Sequence, residues 1–84
     1  IDFNIYPNPT TGLLKVALPP SATTDANTSI QVLDVMGRQI FLMENVSQNQ
    51  SEIATDLTKE NPGIYYLEVK NGEKSTAKSF VLTR

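Results

Sequence analysis

The chain has 84 residues, no cysteine and no histidine, and a formal net charge of −2 from seven basic and nine acidic side chains. That length holds one domain, with a thin core that no disulfide can reinforce. The missing thiol and imidazole exclude Cys- or His-centred nucleophilic catalysis, haem ligation and most zinc sites, and no basic run offers a phosphate-tracking surface for nucleic acid.

No stretch approaches the ~20 apolar residues of a membrane span, so no membrane insertion is expected. Zero cysteine fits the cytosol and also a bacterial exported module that does not rely on oxidation. The chain begins at Ile1 rather than methionine and carries no signal peptide, so we expect an excised or processed piece of a longer precursor.

In chain order, short strands alternate with turn chemistry at roughly the 8 to 12 residue spacing of a sandwich or barrel. Phe3 to Tyr6 is the first predicted strand, closed by Pro7-Asn8-Pro9, where two prolines remove two backbone donors and pairing must stop. Gly12 permits a left-handed turn. Leu13 to Leu18 follows, with Leu14, Val16 and Leu18 on one face and Lys15 opposite. Pro19-Pro20 ends it, and Ser21 to Thr28 is a small, polar loop.

Ser29 to Val35 is the third strand, with Ile30 and Val32 sharing a face. Asp34-Val35-Met36-Gly37 suits a type I turn, Asp first and Gly fourth, and Arg38 to Glu44 returns as a hairpin partner. Asn45 to Ser51 is a polar loop and Glu52 to Leu57 a more polar strand, with room for one short turn at Asp56 to Glu60. Asn61-Pro62-Gly63 fits a type II turn. Ile64 to Lys70 alternates Tyr65, Leu67 and Val69 against Tyr66, Glu68 and Lys70, Asn71-Gly72 is a hairpin signal, and Lys74 to about Thr83 is the last strand.

Seven short strands without a helical period predict an all-β, seven-stranded antiparallel Greek-key sandwich of immunoglobulin-like type, with an open barrel as the alternative. A last strand that reaches the chain end is plausibly an edge, so the chain is expected to be a monomer or an edge-strand dimer.

No constellation points to catalysis, and no catalytic, cofactor-binding or metal-ligating residue is assigned. Glu52 with Asp56, or Glu60 with Glu68, pairs carboxylates without any sign of a cleft; solvated acids between strands explain them better. Asp34 is better read as an acceptor for amides inside its own turn than as a metal ligand. Three N-x-S/T triplets, at Asn27, Asn45 and Asn49, fall in predicted loops and are the kind that arise by chance. Phe3, Tyr6, Phe41, Tyr65, Tyr66 and Phe80 are better explained as core or cross-strand pairs than as a carbohydrate platform, with Tyr66 the one expected to face outward.

The order of the turn motifs carries more information than any one of them. Tyr6-Pro7-Asn8-Pro9-Thr10-Thr11-Gly12 comes first, then Asp34-Val35-Met36-Gly37-Arg38, then Pro62-Gly63-Ile64-Tyr65-Tyr66, and finally Lys78-Ser79-Phe80-Val81-Leu82. This succession resembles the type A C-terminal sorting domain of the type IX (Por) secretion system, from about Tyr6 to Arg84. Carried onto this sequence, the family's blocks land on Pro7, Asn8, Pro9 and Gly12; on Asp34, Gly37 and Arg38; on Gly63 and Tyr65; and on Lys78, Phe80, Val81 and Leu82. Ser79 departs from the family's usual basic or apolar residue.

The resemblance implies a folded address label at the end of a larger cargo protein. Its partners are the outer-membrane translocon and a sortase-like protease, it passes through the periplasm, and its cargo ends at the cell surface or outside the cell. Arg84 is then expected to end the precursor. We expect Gly12, Gly37 and Gly63 to build the fold, and Lys74 to Arg84 to be the recognition surface, with Lys78 steering, Phe80, Val81 and Leu82 setting register and Arg84 at the tip. The rival reading is an immunoglobulin- or fibronectin-like accessory module that grips carbohydrate or a surface partner.

Overall fold

The computed structural model describes residues 3–18, 28–44, 46 and 52–83. Among them are seven strands and no helix: β1 (Asn4–Tyr6), β2 (Leu13–Ala17), β3 (Thr28–Asp34), β4 (Gln39–Met43), β5 (Glu52–Asp56), β6 (Gly63–Asn71) and β7 (Lys74–Leu82). Every strand pairing is antiparallel, in a three-stranded sheet of order β1-β2-β5 and a four-stranded sheet of order β4-β3-β6-β7.

The two sheets share one core because alternate residues of each strand point the same way. Leu14 and Val16 of β2 and Ile53 of β5 meet Ile30 and Val32 of β3, Tyr65, Leu67 and Val69 of β6, and Phe80 and Leu82 of β7. Burying each large aliphatic or aromatic side chain contributes about 1.5–3 kcal/mol before chain entropy is counted. Phe3 and Val46 close the layer between the sheets, both almost wholly buried. The expected alternations in β2, β3 and β6 are all realised.

Two turns differ from their sequence-based assignment. Gly63 is the first residue of β6, extended at φ +157° and opposite Leu82, rather than at the φ of about +80° that a type II turn gives its third residue. Asn71 still pairs with Lys74, so the two-residue loop of the β6–β7 hairpin is Gly72-Glu73, one position later than the Asn-Gly signal implies. The pairing with Lys74 satisfies Asn71 as a strand residue, and Gly72, at φ +64°, takes the bend. The short turn after β5 is present, with the Glu60 N–H donating to the Leu57 carbonyl at 3.0 Å. In the expected polar loop at Asn45 to Ser51, Val46 instead joins the core and its N–H donates to the Thr28 carbonyl at 3.0 Å. The rest of that loop, residues 19–27 with Asn27, and Arg84 lie outside the described residues.

Strand register defines two ends of the molecule. One gathers Gly12, the 57–60 turn, the 34–38 turn, the start of β6 and the end of β7. The other gathers Asn4, Thr28, Glu52 and the Gly72-Glu73 hairpin.

Candidate functional site

Among the described residues β7 is an edge strand: β6 covers one side, and no other strand lies on the other. In an antiparallel ladder both backbone groups of alternate residues point to the same side. Val81 points away from β6, because its N–H donates to Asn8 Oδ1 at 3.0 Å and its carbonyl accepts from the Thr10 N–H at 2.9 Å. The β6–β7 register runs without a break, so Ser75, Ala77 and Ser79 also aim their backbone groups outward. No hydrogen bond reaches those groups among the described residues.

At its C-terminal end the same edge is closed by the chain itself. Thr10 forms an isolated parallel bridge with Leu82, and the Thr83 N–H donates to the Thr10 carbonyl at 2.8 Å. Thr10 is fully buried; its hydroxyl donates to the Leu13 carbonyl at 2.6 Å and accepts from the Gly12 N–H at 3.2 Å. Pro7 and Pro9, both exposed and both following cis peptide bonds, bracket Asn8. The opening block is therefore a clasp on the last strand.

Gly12 holds the clasp in position. Its carbonyl accepts from the Leu57 N–H at 2.7 Å, and a Cβ built on it would sit 2.5 Å from Thr58 Cγ2 and 3.2 Å from Thr58 Cα. Only a residue without a side chain lets the 57–60 turn come that close. The turn is rigid: Asp56 Oδ1 accepts from the Thr58 hydroxyl at 2.6 Å and from its N–H at 3.0 Å, and these bonds, led by the hydroxyl, hold the Asp56 carboxyl below its usual pKa.

The remaining site residues are distributed between core and surface. Phe80 and Leu82 point into the core, so their side chains act through packing, whereas Val81 lies on the outer face of the sheet. Phe80 stacks on Tyr65, its direct cross-strand partner, with ring centroids 5.9 Å apart. The Tyr65 hydroxyl donates to the Asn61 carbonyl and so fastens the corner before β6. Lys78 reaches across to the other sheet, where its ammonium donates to the Phe3 carbonyl and lies 5.1 Å from the centre of the Phe3 ring.

The 34–38 turn stands apart from this network. The Gly37 N–H donates to the Asp34 carbonyl at 3.0 Å, and Gly37 adopts φ +82° with open space around it. Asp34 Oδ1 accepts from the N–H groups of Arg38 at 2.8 Å and Met36 at 2.9 Å, and Oδ2 accepts from Arg38 Nε at 3.1 Å. These donors, the Arg38 amide foremost, hold the Asp34 carboxyl below its usual pKa. On the outer face of the smaller sheet the Tyr6 hydroxyl donates to Glu52, which raises the tyrosine pKa, and Lys15 sits 3.8 Å from the same carboxylate.

Among the described residues no group of three or more Asp or Glu side chains is placed to hold a metal ion, and no helix is long and apolar enough to cross a membrane. Sequence reasoning missed Thr10 and Val46 as working parts; it read Phe3 as a core or cross-strand aromatic, which the structure bears out, but not as the partner of Lys78. A threonine two residues before a glycine, in a segment bounded by proline, is the one signal available for Thr10, because its hydroxyl can bond nearby backbone. Nothing local marks Val46.

No curated protein matches the chain. A profile of the secretion system C-terminal sorting domain matches residues 4–83, which includes the clasp, both sheets and all of the chain but its first three residues and its last. That family is one of export signals rather than catalysts, and its members direct proteins to the cell surface or the extracellular space. The chain belongs to the C-terminal sorting domains of the type IX secretion system and is a signal for export by that route.

Proposed function

We propose that the chain is a single sorting domain at the C-terminal end of a larger cargo protein, with no catalytic role of its own, and that the outer side of β7 is where the export machinery reads it. The cargo reaches the periplasm, is passed through the outer-membrane translocon by this domain, is cut from it by a sortase-like protease, and is anchored at the surface or released. The observation that carries this reading is the backbone of Ser75, Ala77 and Ser79, which faces outward without a hydrogen-bond partner among the described residues. A partner strand can pair there, and the clasp at Val81 to Thr83 limits how far it can run.

Within this reading the recognition residues divide their work. Phe80 and Leu82 fix the register of β7 by burial, Val81 presents its side chain, and Lys78 ties the strand to the start of the domain; Arg84, outside the described residues, keeps its proposed place in the recognition surface. Pro7, Asn8, Pro9 and Gly12 keep the clasp closed. Strand orders 1-2-5 and 4-3-6-7, with the Tyr65 hydroxyl on the carbonyl four residues back at the corner before the sixth strand, fit an immunoglobulin-like Greek key.

The test is a fusion of the chain to an exported fluorescent reporter in a host that has the type IX system. Reporter at the surface or in the medium supports sorting; reporter held inside the outer membrane refutes it in favour of an accessory binding module. Deleting the last ten residues, or introducing Ala77→Pro, should trap the reporter in the periplasm. Proline at 77 removes only an outward N–H and leaves the β6 ladder intact. Normal export of Ala77→Pro by a folded domain sinks the assignment of the edge.

A further inference from the structure

The outer faces of the two sheets differ in chemistry. The face of β1-β2-β5 carries the Tyr6–Glu52–Lys15 cluster. The outer face of the larger sheet is apolar at the end that holds the 34–38 turn. Ile64 stands directly opposite Val81, and Leu33 directly opposite Tyr66, all on the side away from the core. Ile64 is 52% exposed, and at the tip of the turn Val35 is 64% and Met36 87% exposed.

Turn tips are ordinarily filled by Gly, Pro, Asn, Asp and Ser. Here five hydrogen bonds order the backbone of a turn whose two projecting side chains are valine and methionine, so apolar side chains are presented to water from a fixed backbone. A backbone already ordered loses little entropy on docking, and the flexible methionine side chain adapts to irregular pockets. Beside it Arg38 uses Nε on Asp34 while its side chain stays 78% exposed. Its remaining N–H donors are therefore presented next to the apolar tip, in the geometry that a carboxylate accepts.

We propose that the 34–38 turn, with Ile64, Tyr66 and Val81 behind it, is a docking surface for a protein of the export machinery that offers an apolar pocket for Met36 and a carboxylate at its rim for Arg38. The inference rests on the sorting reading and adds a second contact to it, separate from the outer edge of β7. Two features favour such a partner over the alternatives. Asn4 enters the fold at the opposite end from the turn, so a cargo joined upstream leaves the turn accessible. Two copies meeting tip to tip would bring their Arg38 cations together, two residues from the contact.

The experiment uses the same reporter fusion. Met36→Asp puts a charge into the pocket, Arg38→Glu reverses the rim charge, and Ile64→Ser removes apolar surface on the sheet itself. All three change exposed side chains, and thermal melting of the purified variants checks that each folds. Export reduced tenfold or more by Met36→Asp and by Arg38→Glu, with melting unchanged and the unsubstituted fusion exported, supports the docking surface. Export of the folded variants equal to that of an exported parent overturns it and leaves the sorting reading standing. Failure of the parent fusion itself sinks the sorting reading, and this inference with it. Sedimentation of the purified chain at about 100 μM supplies the remaining arm: a dimer that Met36→Asp dissociates overturns the proposal, since the surface would then belong to a second copy.

Discussion

The clasp and the 34–38 turn are both tight, hydrogen-bonded bends at the same end of the molecule, and they are built in opposite ways. The turn closes on itself: five consecutive residues supply every donor and acceptor, and the bend projects into water. The clasp joins residues 8–10 to residues 81–83 and depends on the approach of a third segment at Leu57 and Thr58. A bend made of neighbours can form early and fail alone. A bend that joins the two ends of the chain forms only with the whole fold, because long-range closure must be compensated by the contacts it brings. The sorting signal thus contains a local ornament and a global lock, and only the lock reports that the domain is complete.

Glycine substitutions break this comparison most forcefully. Gly12→Ala forces a Cβ against Thr58 at a left-handed φ of +148°, and should cost about 3 kcal/mol, read from chemical denaturation. Gly37→Ala meets open space and carries only the conformational penalty, about 1 kcal/mol. Equal losses at the two positions would mean that the 57–60 turn yields to the new methyl group.

Thr10→Val comes next. It keeps the shape but leaves the Leu13 carbonyl and Gly12 N–H without their buried partner, at a cost of about 2 kcal/mol. A loss below about 0.5 kcal/mol in the same denaturation experiment would show that the hydroxyl is dispensable and the clasp is held by backbone alone.

Asn8→Ala removes one exposed acceptor and should cost about 1 kcal/mol. Hydrogen exchange sharpens the distinction: the Val81 amide should lose protection while the Met36 amide keeps it. Parallel losses at both amides would make the two bends one cooperative unit.

The smallest effect is one of pH. The Asp34 pKa is depressed in the fold, so its contribution is present above the ordinary aspartate value of about 3.9 and is lost as pH falls through the lower folded value. Protection of the Met36 and Arg38 amides should therefore decline below about pH 4. Asp56, depressed in the same sense, titrates in that window too but supports the clasp only indirectly, through the 57–60 turn. The Val81 amide, bonded to an asparagine side chain, should lose less protection. Loss of Val81 protection in step with Met36 would contradict that separation.

Particular residues set the boundary of what is legible before folding. Alternation in Leu13–Ala17 and in Ile64–Lys70 identifies the core faces because side-chain direction in a strand is a local property of period two. The Asp34–Gly37 turn and the presence of a hairpin near Asn71 are likewise local, although the register of the β6 ladder moved the second loop by one residue. Asn8, Thr10 and Lys78 have no local signature of their partners, since those partners lie some seventy residues away.

The sequence by itself determined the all-β class, the seven strands, the inward side of three of them and, through the order of its turn motifs, the sorting family. Only the tertiary structure decided that the opening Pro-Asn-Pro-Thr block lies on the outer edge of the last strand, that Val46 fills the core from a polar stretch, and that Phe80 and Leu82 are hidden while Val81 is shown. Periodicity and turn chemistry act over a few bonds and can be read along a chain. Which edges meet and which loops approach depends on the packing of two sheets against each other, and no single segment contains that information.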